Sequence, residues 1–599
     1  MCGIYMTSQA TSKKAGEKVF AGLRRIEYRG YDSWGVAVVS STGLKIKKMT
    51  GKLSDLGDLE FAESQFALGH TRWATHGGVT KENAHPHLAK NRSFALAQNG
   101  VVENFQELKE LLLDWGYEFI SETDTEVIVG LLEQEMEKQK IAEPDINVIQ
   151  TVFKKLAGRN TIAILTQSGK LFAVRDGSPL IVGKDAKSGS IYFSSDVVSL
   201  SGDVSEYVVV QSGEIVEYVS EKLRILHIDS LTPVEFVFTK MQLNQTLIDI
   251  EGYDSFMLKE IYEQAKVLQN VVLGKELEFQ EAVQAIKKAE IVFTVGAGTA
   301  SFVAGHTAFL LRKQGVRAYS VASYEADSYK MLCNKNSVCI AFSQSGETAD
   351  TNEVVEWMRE KGATIISVVN MPGSTLTQIS HMPFMLDVGA ELAVASTKAF
   401  FGHMVWGMAV CNLLCDKKYV DIKKNINEFE QQLIGWFGRP NIQQKIHNLA
   451  LNLAQKQQVF VLGRGDLYYS SLECALKLKE ISYIHAEGFS GGELKHGVIA
   501  LIEQGTPVLC LVAEDENKEN MLNAIAQVNA RGGYTIVVAS KDNELYKEWV
   551  EVPELMMGEA NMMTLMTIVP SQLLTCYMAM HKGYDVDKPR NLAKSVTVK

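Results

Sequence analysis

An α/β architecture, with two tandem doubly wound parallel sheets behind a mixed N-terminal third, follows from three features of the 599-residue chain. The first is an internal duplication: "VFTVGAGTASFVA" and "VFVLGRGDLYYSS" align as apolar strand, Gly-x-Gly and helix, at a shift of 167 residues from Gly296 to Gly463. The later segments "SVCIAF" and "TPVLCLV", then "ATIISVVN" and "YTIVVAS", follow at nearly the same shift. The second is the alternation of apolar strands with helical patterns inside each copy, the mark of a parallel sheet flanked by helices. The third is the contrast with the N-terminal residues, where strand-like runs dominate and Gly-rich turns separate them.

In chain order, residues 1–238 read as one mixed domain. "WGVAVVS", "TIAILTQ" and "EYVVVQSGEIVEYV" are its clearest strands. The period fades through "HIDSLTPVEFVFTKMQLNQ", so 239–248 is expected to be a linker. From "SFMLKEIYEQAKVLQNVV" onward apolar residues recur at helical spacing, opening a first doubly wound domain over 249–425. Its copy fills 426–586, and 587–599 remain as a tail without obvious period. Neither Gly-x-Gly has the third glycine and spaced acid of a dinucleotide fingerprint, so NAD binding is not expected.

Composition narrows the function classes. A hydrophobic share of 46% with 11 prolines describes globular material rather than a disordered chain. A net charge of −11 argues against a nucleic-acid or acidic-membrane partner, because phosphate affinity comes from clustered Lys and Arg. Eight cysteines without a CxxC pair signal neither zinc nor a redox dithiol. Cys411 and Cys415, inside "MVWGMAVCNLLC", read as buried helix; that run is shorter than the roughly 20 residues needed to cross a bilayer. The first residues lack the basic-then-apolar pattern of a signal peptide, so a cytoplasmic chain with reduced thiols is expected.

The opening "MCGIYM" places a thiol where removal of Met1 would leave it as residue one. Cys2 would then carry a thiol and a free α-amino group on one residue. That amine, with a pKa of about 7.7–8.0, can relay the thiol proton, so nucleophile and base share one residue. Arg72, in "HTRWATHG", has the fork that suits a carboxylate, and Asp124, in "SETDTEV", can pair with an ammonium. Together they recognise an α-amino acid; singly, each reads as a surface ion pair. Asn99 and Gly100, in "QNGVVEN", offer a side-chain amide beside a glycine N–H, the components of an oxyanion hole.

"MCGI", "YRGYDS", "TRWATHG", "NAHPH", "NGVVEN" and "SETDTE", in that order, resemble the N-terminal-nucleophile glutaminase domain of class II amidotransferases. The resemblance implies a four-layer sandwich, two antiparallel sheets between helices. It also implies that Cys2 attacks a glutamine side-chain amide, Asn99 and Gly100 hold the oxyanion, and Arg72 and Asp124 bind the amino acid. His76, His85 and His87 receive no base role from it and are expected to be structural.

In the first duplicated domain, "VCIAFSQSGETADTNEVVEWMREKG" runs from a strand through a polar turn into a helix. Unpaired N–H groups at a helix N-terminus, with hydroxyls beside them, cradle a phosphate without net positive charge. In the second, Glu473, Lys477 and Glu480 fall at i, i+4 and i+7, on one helical face. That face reads equally as a solvated ion-pair stripe. "GGELKHG" then presents His496, and the tail presents Lys594, which over a sugar site could form an imine with a ketone.

"SQSGETADT", "VASTKAF", "LKLKEISYIHAE", "GELKHG" and "DVDKPRNLAKSVTV" resemble the tandem sugar-isomerase (SIS) domains of the isomerising glutamine:fructose-6-phosphate aminotransferases, over essentially the whole chain. The resemblance implies that Thr299, Ser343, Gln344, Ser345 and Thr348 bind the sugar phosphate, with Ser396 nearby. Glu480 would move the proton between C1 and C2 with help from Lys477. His496 would open the sugar ring, from the same or a neighbouring subunit of a homodimer, and Lys594 would make the imine. It further implies no metal or other cofactor, glutamine and fructose 6-phosphate as substrates, a dry passage for ammonia, and Trp73 as its gate. An alternative is a sugar-phosphate sensor without turnover; Cys2, Glu480, His496 and Lys594 together argue against it.

Four departures lie beside this chemistry. "AGTAS" stands for the usual "CGTS", moving one phosphate hydroxyl to Ser301. "QNG" brings Gln98, "YDSWG" brings Trp34, and "FSGGELKHGV" replaces "YAAGELKHGP".

Overall fold

The computed structural model describes residues 2–241, 250–554, 556–557 and 560–596. The expected linker 239–248 lies mostly outside them, and so does Met1. The chain forms two compact units, one of Met1–Asp249 with Ala593–Lys599, the other Ile250–Leu592.

In the first unit, two antiparallel sheets stack face to face. The eight-stranded sheet runs Thr239–Lys240, Glu206–Val209, Ile181–Lys184, Ile191–Ser194, Gly3–Ser8, Phe66–Arg72, Ser33–Ser40, Gly43–Thr50. The six-stranded sheet runs Lys222–His227, Glu214–Val219, Leu171–Arg175, Asn160–Thr166, Phe94–Gly100, His87–Leu88. Alternate residues of both sheets fill the space between them: Ile4, Met6, Leu68 and Val182 from one meet Ala95, Ala97, Ala163 and Leu165 from the other. The opposite faces are apolar too, so each takes helices. Ala15–Arg25 turns Val19 and Leu23 inward on the first sheet, where Gly69 leaves them room. Thr125–Gln139 and Ile146–Phe153 cover the second through Ile128, Leu132 and Val152. The result is helix, sheet, sheet, helix, as the first resemblance implies.

The second unit contains the duplication as two parallel five-stranded sheets with one topology. The first runs Ala318–Ala322, Ile291–Gly296, Ser337–Ser343, Thr364–Val369, Met382–Met385. The second runs His485–Ser490, Gln458–Gly463, Pro507–Leu511, Tyr534–Ala539, Glu548–Glu551. Each has the order 2-1-3-4-5, so its chain reverses direction between the first and third strands. Ligands of open parallel sheets bind in the crevice at the strand C-termini at that point. There, Gly296 leads into the helix Thr299–Lys313 and Ser343 into the helix Ala349–Glu360.

The helix Asp466–Ser482, from the second copy, packs beside Thr299–Lys313 of the first: the Tyr469 ring stands where a Cβ on Gly305 would go, 2.4 Å away. Among the described residues one helical stretch, Met563–His581, is long and apolar enough to cross a membrane, and 89% of its apolar window is buried inside the unit.

The strand His485–Ser490 lies directly on the backbone of Asp466–Ser482, because a Cβ at Gly488 would sit 2.6 Å from the Ser471 carbonyl oxygen. Gly488→Ala is therefore expected to push that helix off its sheet and cost about 1–3 kcal/mol, the range for overpacking. A lowered urea midpoint would report it; an unchanged midpoint would show that the contact yields freely.

Candidate functional site

Two groups of side chains are built by these elements. In the first unit, strand Gly3–Ser8 pairs with Phe66–Arg72, Gly3 opposite Thr71, which brings Cys2 to the end of the strand carrying Arg72. Gly3 allows this close approach: a Cβ there would lie 2.6 Å from Thr71 Oγ1. The half-buried Cys2 thiol donates to the carbonyl of Trp73 at 3.6 Å, and Arg29 Nε donates to the Cys2 carbonyl at 3.2 Å. Arg29 is itself fixed by a buried ion pair with Asp196 at 3.0 Å, and Tyr28 donates to the same carboxylate at 2.6 Å. Burial pushes the Cys2 thiol up, and the Arg72 and Arg29 guanidinium groups act in the opposite direction.

Arg72 is buried and donates to the Gly78 carbonyl at 3.1 Å and the Gly77 carbonyl at 3.2 Å, with His76 O a further acceptor. Burial lowers its proton affinity, while Cys2, Asp32, Asp124 and Glu122 oppose that loss. Asp124 precedes the helix Thr125–Gln139 without capping it; its carboxylate accepts from Val102 N–H at 2.7 Å. Burial raises its pKa, and the Val102 N–H and the charges of His76 and Arg72 pull it back. Thiol, guanidinium and carboxylate thus share one electrostatic neighbourhood.

Asn99 and Gly100 end the strand Phe94–Gly100. Gly100 has φ +140°, and a Cβ would meet the Arg159 carbonyl at 2.2 Å, so only glycine fits. Asn99 is buried, its Oδ1 lies 3.2 Å from His70 Nε2, and its Nδ2 has no partner among the described residues. Gln98 keeps its neighbourhood polar: Nε2 donates to Asn160 Oδ1 at 2.6 Å, and Oε1 accepts from the Thr125 hydroxyl. Trp34 is buried and meets Phe20 edge-on, with ring centroids 5.4 Å apart. His85 and His87 are buried against His70, with centroids 4.3 and 4.8 Å apart along the row; burial holds both well below the usual histidine range. His76 meets Phe105 edge-on at 5.2 Å.

In the second unit, Ser343, Gln344, Ser345 and Thr348 form the turn between Ser337–Ser343 and Ala349–Glu360. Ser343 Oγ accepts from Gly346 N–H at 2.9 Å, and Ser345 Oγ from Glu347 N–H at 3.1 Å. Gly346 has φ +67° and no room for a Cβ beside Ser374 Oγ. Gln344 Oε1 is buried without a partner, and Thr348, at the helix start, makes no capping bond with its side chain. Ser396 donates to Glu391 at 3.1 Å in the loop before the helix Lys398–Leu414. Ser301 turns back to the Gly298 carbonyl at 2.7 Å.

Thr299, at the start of the helix Thr299–Lys313, joins the first copy to the second. Lys477 Nζ donates to Thr299 Oγ1 at 3.2 Å and pairs with Glu480 at 2.6 Å and Glu473 at 3.2 Å. Burial alone would strip the Lys477 proton, but the two carboxylates outweigh it and hold the lysine above its usual range. Glu473 is fully buried with Oε2 unpartnered; burial lifts its carboxyl to about 7 against the pull of Lys477. Glu473 shares a helical face with Lys477 and Glu480 in the sequence, yet only burial distinguishes it from a solvated acid.

His496 sits on an exposed turn, Glu493–His496, and makes no bond to Lys477 or Glu480 of its own chain. Ahead of the tail, the Asp587 carboxylate accepts from Phe256 N–H at 2.9 Å and Met257 N–H at 2.7 Å. The Arg590 guanidinium lies 4.2 Å over the Tyr483 ring, whose hydroxyl accepts from Arg590 N–H at 2.7 Å. Lys594 follows, half-buried, in the segment that belongs to the first unit. Asp587, Tyr483, Arg29 and Asp196 carry no signal of their own in the sequence reading. Among the described residues no three His, Cys, Asp or Glu side chains form a metal-ligating group.

Comparison with known proteins matches residues 70–202 to a glutamine amidotransferase domain and residues 285–413 and 452–582 to SIS domains. An isomerizing glutamine–fructose-6-phosphate aminotransferase of Pyrobaculum aerophilum is 35% identical, and one of Bacillus subtilis 34%, each over 100% of both chains. The solved C-terminal domain of glucosamine-fructose-6-phosphate aminotransferase from Francisella tularensis is 29% identical. It covers 56% of this chain and 99% of its own, with a TM-score of 0.50.

The raised Glu473 carboxyl has a consequence for stability. Its unfolded form ionises near 4.5 and its folded form near 7, so stability from this group is highest below pH 4.5 and falls as pH rises to 7. Glu473→Gln lacks that fall. Its urea midpoint relative to the parent is expected to rise between pH 5 and 7.5, at up to about 1.4 kcal/mol per pH unit. A pH-independent difference would show that Glu473 stays ionised throughout.

Proposed function

The chain belongs to the family of isomerizing glutamine–fructose-6-phosphate aminotransferases, and from that premise we propose how its residues divide the reaction. The reaction takes the amide nitrogen of glutamine and converts fructose 6-phosphate into glucosamine 6-phosphate, leaving glutamate. One observation carries the residue assignment: Lys477, between Glu473 and Glu480, bonds to Thr299 at the mouth of the phosphate turn. That contact supports reading Lys477 and Glu480 as an acid–base pair working beside an anion cradle.

In the first unit, Cys2 acts as an N-terminal nucleophile. Arg72 and Asp124 hold the carboxylate and ammonium of glutamine, and the thiolate attacks the side-chain amide. The negative oxygen falls to Asn99 and Gly100; collapse releases ammonia and leaves a thioester, which water cleaves to glutamate. Trp73, whose carbonyl accepts from the Cys2 thiol, gates the ammonia in this reading.

In the sugar site, Thr299, Ser343, Gln344, Ser345 and Thr348 take the phosphate, with Ser396 at the edge. His496 opens the ring, from a second copy of the chain; its exposure without a bond to Lys477 or Glu480 supports a homodimer through the tandem domains. Lys594 condenses with the C2 ketone and loses water, and ammonia displaces the lysine amine. Glu480 removes the C1 proton and returns it to C2, giving the 2-amino aldose, while Lys477 fixes the carboxylate. No cofactor enters these steps. Eight free cysteines fit a reducing cytoplasm.

Incubation with glutamine and fructose 6-phosphate is expected to yield glutamate and glucosamine 6-phosphate in equal amounts, and Cys2→Ala is expected to lose both by more than 1000-fold, roughly the scale of removing a nucleophile. Glutamate alone from the parent would sink the transfer, and full activity in Cys2→Ala would sink the nucleophile. Borohydride added with fructose 6-phosphate is expected to fix the sugar to Lys594, detected by peptide mass, and Lys594→Arg to abolish the adduct. Label on another lysine would reassign the imine.

A further inference from the structure

Asn99 can serve an oxyanion only if its carboxamide presents N–H rather than C=O. The described residues contain one group that decides this. His70 lies in the strand Phe66–Arg72, two residues before Arg72, fully buried, and its side chain reaches across to the other sheet. Its Nε2 is 2.9 Å from the Gln98 carbonyl oxygen and 3.2 Å from Asn99 Oδ1.

A backbone carbonyl can only accept, so Nε2 must carry the hydrogen. That fixes the tautomer. The second atom within reach must then also be an acceptor, which turns Oδ1 of Asn99 toward His70 and Nδ2 away from it. Nδ2 is buried and has no partner among the described residues. A buried amide donor left unpaired carries a desolvation cost, which is recovered when an oxyanion arrives.

The imidazole is held in this role from its other face. It stacks on His85 at 4.3 Å with 30° between planes; His85 lies 4.8 Å from His87, and His87 Nε2 meets the Thr123 hydroxyl at 3.0 Å. Burial holds His70 down to about 3, so the ring is neutral and Nδ1 carries no hydrogen.

We propose that His70 is a positioning residue of the glutaminase reaction, orienting the Asn99 carboxamide so that its N–H faces the developing oxyanion. The proposal rests on the oxyanion role of Asn99 given above. Among the described residues no hydrogen bond joins His70 to Cys2, so its removal should spare the thiol and slow only the step that needs the hole.

Two variants separate the alternatives. His70→Phe keeps an aromatic ring on His85 but removes the donor; His70→Gln keeps an amide donor of similar reach. His70→Phe is expected to lower kcat for glutamine hydrolysis about 100-fold, the lower end for loss of an oxyanion donor, with KM within about twofold. The rate at which iodoacetamide alkylates Cys2, followed by peptide mass, should stay within about twofold, since that reaction forms no oxyanion. His70→Gln should recover kcat to within about tenfold of the parent. Combined with Asn99→Ala, His70→Phe should add no further loss. Additive losses, a rise in KM without loss of kcat, slowed alkylation, or no recovery in His70→Gln would each overturn the proposal. Full hydrolysis in Asn99→Ala alone would instead overturn the oxyanion reading on which it rests.

Discussion

The sugar-site assignment depends on a cation kept out of water. Lys477 is 1% exposed at its side chain and survives as an ammonium because Glu473 and Glu480 lie on either side of it at 3.2 and 2.6 Å. Removing both acids would leave the ammonium uncompensated, and an unpaired buried charge costs several kcal/mol. The third partner, Thr299, comes from the other copy of the duplication. The same ammonium that steadies Glu480 therefore fixes the first copy's helix start against the second copy's helix. Packing alone would tolerate small shifts between these helices. A buried ion cluster does not, because each ångström of separation is expensive where water cannot compensate.

The glutaminase side follows a different rule. Its buried imidazoles are neutral, and its charges, Arg72 and Asp124, stand at the edge of the same low-dielectric region. Keeping His70, His85 and His87 uncharged avoids three cations beside Arg72. It leaves hydrogen-bond direction, not charge, as what joins His70 to Gln98 and Asn99. Gln98 works the same way. Its side chain is satisfied by Asn160 and Thr125, while its main-chain carbonyl anchors His70. The departure at position 98 thus falls on a side chain held by Asn160 and Thr125.

Much of this architecture was legible because it is periodic. The Gly-x-Gly strands and the 167-residue shift translate directly into two sheets of identical strand order, and Glu480 with Lys477 declares one helical face by spacing alone. The antiparallel sandwich depended on the resemblance, since short strands separated by turns do not state which sheet they join. What escaped was set by burial and by contacts distant in sequence. Glu473 has the spacing of a solvated acid and only the closed packing around it lifts its carboxyl to about 7. His70 sits in an alternating strand where any polar residue would satisfy the pattern. Asp587 anchors a helix more than 300 residues earlier, a pairing no local signal contains. Ser301, expected to stand in for a missing phosphate hydroxyl, turns its Oγ to the Gly298 carbonyl, a contact the spacing alone does not state.

The duplication also sets the two helix starts side by side for comparison. Aligned on their glycines, Thr299 of the first copy corresponds to Asp466 of the second, each the first residue of its helix. A carboxylate at a helix start occupies the positive end of the dipole with the protein's own charge, and it repels a phosphate that would seek the same N–H groups. Asp466 is buried and its Oδ1 lies 3.5 Å from His306 on the first copy's helix, so this carboxylate serves a contact between the copies. The two copies thus differ where their sequences align: the first opens its helix with a hydroxyl, and the second opens its own with a buried charge that meets the first.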